Sequence, residues 1–312
     1  MARERFIRSA DGTELYTRSA GKGLTVLLID GIGCDGFIWR HIEADLVRSH
    51  RVIRWHHRGH GRSKTPEDLS RLGMDALLED LQAVLDAYEV DRAVLIGHSM
   101  GVQIVLDFAI RHPGRVYGLV PICGSYGRVL DTFHDNGLAG SLFPSLRDLV
   151  FKHPDWAQWL WSTLLPTEVV YLYATFAEVK GSLVRRDDFK PYFDHLATMD
   201  ARVFFRMLDE VRRHTVEDQL QKVSVPTLVI AGDRDTFTPV WLSRRMARLI
   251  RGAELLIVPH GSHATPLEMP ELIELRLERF LVEKILPRAR AAAALKRPTR
   301  STLPMRRRAP KG

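Results

Sequence analysis

The stretch Ala93-Val94-Leu95-Ile96-Gly97-His98-Ser99-Met100-Gly101-Val102 decides the reading of this chain. Four apolar residues fit a buried strand. Gly97 and Gly101 then flank a serine in the form G-x-S-x-G, a nucleophile elbow. The turn from strand to helix is too tight for side chains at the two glycines, and it lifts the serine hydroxyl clear of the backbone. A helix is expected to start near Val102 and to continue through Val105, Leu106, Ala109 and Ile110 at amphipathic spacing. Its N-terminus would point at the place where negative charge forms in acyl transfer.

A serine hydroxyl is a poor nucleophile until a base takes its proton, and the base needs an orienting acid. After an elbow serine the acid and then the histidine are expected downstream. The run Pro226-Thr227-Leu228-Val229-Ile230-Ala231-Gly232-Asp233-Arg234-Asp235 is an apolar strand ending in a glycine and two carboxylates, and Pro239 then opens a helix. Leu255-Leu256-Ile257-Val258-Pro259-His260-Gly261-Ser262-His263 is a second strand, ending in a histidine-bearing loop before a helix at about Pro270.

On these motifs the chain resembles the α/β-hydrolase fold family over about residues 3 to 286. The resemblance implies an acid in a G-x-x-D-x-x-x-P context, and Gly232 and Pro239 set that register on Asp235. It implies a histidine followed by E-x-P, matched by His263, Glu268 and Pro270. Ser99 is then the nucleophile, Asp235 the orienting acid and His263 the general base. Asp233 stays open as the acid, with Asp235 a helix cap, and His260 as the base. His98, inside the elbow, reads as a packed and hydrogen-bonded residue.

Acyl transfer also needs two backbone N–H donors for the oxyanion. The resemblance assigns them to Met100, after the nucleophile, and to Ile32 in Asp30-Gly31-Ile32-Gly33. Two departures stand out. The family usually has histidine where this chain has Asp30, and commonly aspartate where His56 opens His56-His57-Arg58-Gly59-His60-Gly61-Arg62-Ser63. The two sites close adjacent strands, so Asp30 and His56 are expected to form one buried pair of reversed polarity that keeps the Gly31-Ile32 loop in shape. His56, His57 and His60 match a loop register and lack carboxylate or cysteine partners at ligand spacing, so no metal is expected. No phosphate loop, repeat or cofactor motif is read either.

The chain has 312 residues, 27% of them charged, and a net charge of +7. That basicity belongs to one end. Residues 287–312 hold nine Lys and Arg (from Arg288 to Lys311) and no acid, which leaves −2 for the rest. With Ala291 to Ala294 and three prolines after Lys296, this end reads as a disordered basic tail. A solvated end is favoured over a docking arm, and no specific nucleic acid partner is expected. Met1 to Tyr16 lack a signal-peptide apolar run, and nothing approaches a membrane span of ~18 apolar residues. Two cysteines, Cys34 and Cys123, make no disulfide framework, so a cytoplasmic location is expected. No pattern fixes an oligomeric state.

Strands are expected near Arg3–Ser9, Glu14–Ser19, Leu24–Ile29, Arg51–Trp55, the elbow strand and Val116–Ile122, with helices at about Phe37–Arg48 and Met74–Tyr88. Alternating strands and helices imply an α/β fold, a mostly parallel sheet flanked by helices. From 124 to 222 the rhythm breaks, and aromatics crowd in (among them Phe133, Trp156, Trp159, Trp161, Tyr173, Phe176, Tyr192 and Phe204). The division is then a core of 1–123 and 223–286, a helical cap of 124–222 inserted after the sixth strand, and the tail. The expected function is a cofactor-free serine hydrolase cleaving a small ester, thioester or lactone with an apolar acyl part through an acyl-enzyme. An acyltransferase and a carbon–carbon bond hydrolase share its residues. A non-catalytic small-molecule receptor on the same fold is the rival class.

Overall fold

The computed structural model describes residues 2–132, 138–177 and 185–295. Eight strands form one sheet in the order β1-β2-β4-β3-β5-β6-β7-β8. They are β1 (Arg3–Arg8), β2 (Glu14–Ala20), β3 (Thr25–Ile29), β4 (Arg51–Trp55), β5 (Ala93–His98), β6 (Val116–Ile122), β7 (Leu228–Gly232) and β8 (Glu254–Val258). β2 pairs antiparallel with β1 and β4, and β4 through β8 run parallel. The six parallel strands therefore end along one edge. Ser99, Asp30, Asp235 and His263 all follow strand ends on that edge.

The central strands are apolar without interruption because both faces are covered. Alternate residues serve opposite sides. Leu27, Ile29 and Leu95 pack with Leu81, Val105 and Phe108 of the helices α2 (Met74–Ala87) and α3 (Met100–Arg111). Val26, Leu28, Val94 and Ile96 pack with Ile42 of α1 (Arg40–Leu46) and with Ile273 and Leu277 further on. Each such fully buried aliphatic side chain contributes roughly 1.5–3 kcal/mol.

Between β6 and β7 the described residues form six helices: α4 (Val129–Thr132), α5 (Leu138–Lys152), α6 (Pro154–Leu164), α7 (Glu168–Ala177), α8 (Arg186–Thr198) and α9 (Ala201–Arg213). α8 and α9 lie against the sheet edge. Leu196 and Tyr192 close over Gly33, and Val203 closes over Gly59. The aromatics of this segment divide between covered and exposed positions. Trp161, Tyr192 and Phe204 pack against the core, while Trp156 and Trp159 are 51% and 62% exposed. Phe133 lies outside the described residues, as do the side chains of Tyr173 and Phe176.

The chain ends with α10 (Val240–Leu249), α11 (Thr265–Glu268), α12 (Pro270–Phe280) and α13 (Leu286–Leu295). The last corrects the expectation of a disordered tail from 287. Four consecutive alanines are strong helix formers, and they extend the helical end to 295. The rest of the basic run lies outside the described residues. Among those described, no helix is long and apolar enough to cross a membrane.

Candidate active site

α3 begins at Met100, two residues earlier than the apolar spacing implies, because the elbow leads straight from strand to helix. Ser99 takes φ 54° and ψ −116°, a region that costs a non-glycine residue on the order of 1–3 kcal/mol. The flanking glycines explain how the turn fits. A Cβ on Gly97 would strike the Gly101 carbonyl, and one on Gly101 would strike the carbonyl of Ile29 in β3. The strain holds the Ser99 hydroxyl on the strand-end edge, half-buried.

Three side chains meet there. Ser99 Oγ lies 2.9 Å from His263 Nε2, and His263 Nδ1 lies 2.9 Å from Asp235 Oδ2. With Nδ1–H donating to the carboxylate, Nε2 is left to accept from the serine hydroxyl. The structure brings together Ser99, Asp235 and His263 and leaves Asp233 and His260 out of this chain of bonds. His260 has φ 61°, in the turn that leads to Gly261.

Asp235 is 5% exposed and well supplied with donors. Its Oδ1 accepts from the backbone N–H of Phe237 and Thr238, and its Oδ2 from the Thr238 hydroxyl at 2.8 Å. Burial pushes this carboxyl up, but His263 and the Thr238 bonds outweigh it and hold it below the ordinary carboxylate value. Two rings pack against His263. Phe237 stacks on its ring at 4.9 Å, and His98 approaches it at a tilt at the same centroid distance. His98 Nε2–H also donates to the His263 carbonyl at 2.9 Å. Burial and the nearby His263 push His98 down to about 3, so it stays neutral. Behind the histidine loop, Glu268 accepts from both the N–H and the hydroxyl of Ser262.

The loop after β3 approaches the serine closely. The place a Gly31 Cβ would occupy is 2.9 Å from Ser99 Cβ. Met100 opens α3, so its N–H has no acceptor within the helix. Among the described residues, no backbone acceptor takes the N–H of Ile32. The next amide, Gly33 N–H, donates to His60 Nε2 at 3.0 Å, while His60 Nδ1–H donates to the Arg58 carbonyl at 3.0 Å. Arg58 is itself fully buried on Asp80 and Asp11. His60 therefore ties the Gly31–Cys34 loop to an ion-paired anchor. Sequence reading missed this link, as it missed Thr238 and Phe237. Only Thr238 left a signal, a hydroxyl three residues after the acid at turn spacing.

The expected Asp30–His56 pair does not form. His56 turns toward β2, packing at a tilt against Tyr16 with ring centroids 4.6 Å apart, and its Nδ1 accepts from the Arg62 N–H at 2.9 Å. Side chains alternate along a strand and its continuation, so it is His57 that reaches β3. Its Nε2–H donates to the Asp30 carbonyl at 3.0 Å, not to the carboxylate. Both Asp30 carboxyl oxygens have no hydrogen-bond partner among the described residues. Burial pushes the Asp30 carboxyl up to about 7 against the pull of Arg54. No group of three or more His, Cys, Asp or Glu among the described residues is arranged to hold a metal ion.

Comparison with known proteins agrees with this architecture. Residues 25–158 match the family model described as alpha/beta hydrolase fold, and residues 207–292 match one described as TAP-like protein. The chain is 29% identical over 279 residues to protein ABHD8 of Bos taurus, covering 88% of this chain but only 60% of that longer protein. A hydrolase from Pseudomonas aeruginosa PA01 superposes with a TM-score of 0.71 at 25% identity, over 89% of this chain and 98% of the other. The enol-lactonase from Burkholderia xenovorans LB400 shares the fold, with a TM-score of 0.69, 20% identity and coverage of 89% and 100%.

Proposed function

We propose, from the premise that this chain belongs to the α/β-hydrolase fold superfamily, that it is a serine hydrolase acting on an ester, thioester or lactone with an apolar acyl part. The observation that carries the reading is the unbroken bond chain from Asp235 through His263 to Ser99 on a strained elbow.

In this reading Ser99 Oγ attacks the acyl carbon while His263 Nε2 takes its proton. The imidazolium that forms is stabilised by the buried Asp235 carboxylate, and Phe237 stacks on its ring. The developing oxyanion is held by the N–H groups of Ile32 and Met100, and one such donor contributes about 10²–10³ in rate. His263 returns the proton to the leaving group, which departs and leaves an acyl-enzyme. Water, deprotonated by His263, then releases the acid. No cofactor is called for.

The helices between β6 and β7 act as a cap. Tyr192 and Leu196 close over Gly33, next to Ile32, which supports an apolar acyl pocket rather than a charged one. Cys34 and Cys123 are buried free thiols, which suits a reducing compartment such as the cytoplasm.

The test is acyl-enzyme trapping. With p-nitrophenyl esters of two to ten carbons, intact-mass and peptide analysis should place the acyl group on Ser99, with preference for longer chains. Turnover with no Ser99 adduct under rapid quench, together with full activity in Ser99→Ala, would overturn the reading.

A further inference from the structure

Asp30 is the one buried carboxylate on the strand-end edge to which the structure gives no partner among the described residues. It is 1% exposed, and both its oxygens are unbonded. The surrounding groups make this more than a local accident. From β4, Arg54 is its cationic neighbour, but Arg54 is already spent on Glu43 at 3.0 Å and on the Asp35 carbonyl at 3.1 Å. Glu43 of α1 and Asp35 of the same loop add negative charge. Burial, with Asp30 and Asp35 adding to it, pushes the Cys34 thiol well up, so it stays protonated. Across Gly31, His98 is neutral, and His57, bonded to the Asp30 carbonyl, is pushed down by burial to about 4. The Trp39 indole N–H is a neighbouring donor that favours the Asp30 anion, but it stops short of full hydrogen-bond geometry. No group facing Asp30 is positioned to compensate a negative charge fully.

We infer that Asp30 is a positioning residue that works as a neutral acid beneath the oxyanion loop, and that losing its proton weakens the hole formed by the next residues of the chain. This rests on the hydrolase reading above. The Ile32 N–H lies two residues on, within about 8 Å along the backbone. A carboxylate there opposes the oxyanion, because like charges in a partly buried site repel with little screening. The neutral acid leaves the two N–H donors at full effect. The burial that lifts Asp30 to about 7 puts the change within reach of ordinary conditions. His60 holds the far side of the same loop through Gly33, so the ionisation acts on a fixed geometry rather than on a floppy one.

The experiment is the rate of Ser99 labelling by a fluorophosphonate probe from pH 5 to 10, in wild type, Asp30→Asn and Asp30→Ala. Wild-type labelling should fall about ten-fold as Asp30 ionises. Both variants should lack the falling limb, so that Asp30→Asn exceeds wild type at pH 9. In Ser99→Ala, the carboxyl ¹³C resonance of Asp30 should titrate over the same pH range as that limb. A labelled wild type with no falling limb would overturn the inference alone. So would variants slowed by one factor at every pH, which is the mark of a merely structural role. A wild type that no probe labels at any pH would overturn the hydrolase reading and this inference with it.

Discussion

Asp235 and Asp30 are two aspartates on the same strand-end edge of one sheet, after β7 and β3, 5% and 1% exposed, and they behave in opposite ways. Burial raises both. Asp235 receives two backbone amides, the Thr238 hydroxyl and the His263 ring, and ends below its ordinary value. Asp30 receives none of these and ends near 7. Depth does not decide whether a buried carboxyl is charged; the donors aimed at it do. In the proposed mechanism one carboxyl must be an anion to steady His263. The other must stay neutral to spare the oxyanion.

The largest expected effect comes from removing the charge where it is needed. Asp235→Asn should keep the fold and lower kcat/KM by about 10⁴-fold, through the wrong imidazole tautomer; steady-state ester kinetics check it. Near-normal turnover would mean that the Asp235 charge is not used. The same carboxyl gives an acid-side stability signature. Because its folded value lies below its unfolded one, its contribution is full above about pH 3.9 and is lost as pH falls through the folded value.

The opposite sign is expected at Asp30. Its folded value of about 7 exceeds the unfolded one, so wild-type stability from this group is full below about pH 4 and drains away as pH rises toward 7. Asp30→Asn should therefore gain on wild type over that window, by up to about 4 kcal/mol, and hold the gain above it. Urea unfolding at pH 4 and pH 8 measures this. A difference that does not change with pH would remove the contrast between the two aspartates.

Sharper still is Thr238→Val, which deletes one donor to Asp235 while leaving its backbone bonds. Stability should drop by about 1–2 kcal/mol, and the acid-side loss of stability should become smaller and be complete at a higher pH. The smallest effect belongs to a position in neither network. Trp159→Ser, at 62% exposure, should change stability by no more than about 0.5 kcal/mol, as thermal unfolding would report.

How far the sequence was legible follows the same contrast. The elbow, the strands and the register on Asp235 were readable because each is local. Glycines at Gly97 and Gly101 and apolar runs of strand length carry their own physical reason. The Asp30–His56 expectation failed because it treated adjacent strand ends as facing side chains. A single step beyond β4 exchanges His56, packed against Tyr16, for His57, bonded to the Asp30 carbonyl. His60 was read only for a metal, since nothing local marks the Gly33 amide, 27 residues earlier, as its partner. The outward face of α6 escaped too, because tryptophan density says nothing about which side of a helix is covered.

The most direct test is labelling of the 312-residue protein by a fluorophosphonate probe at pH 7, with Ser99→Ala and His263→Ala beside wild type. The expected result is rapid labelling of wild type at Ser99, none in Ser99→Ala, and a rate lowered by about 10⁶-fold in His263→Ala. Wild type that is folded and stays unlabelled, or His263→Ala that labels as fast as wild type, would contradict it.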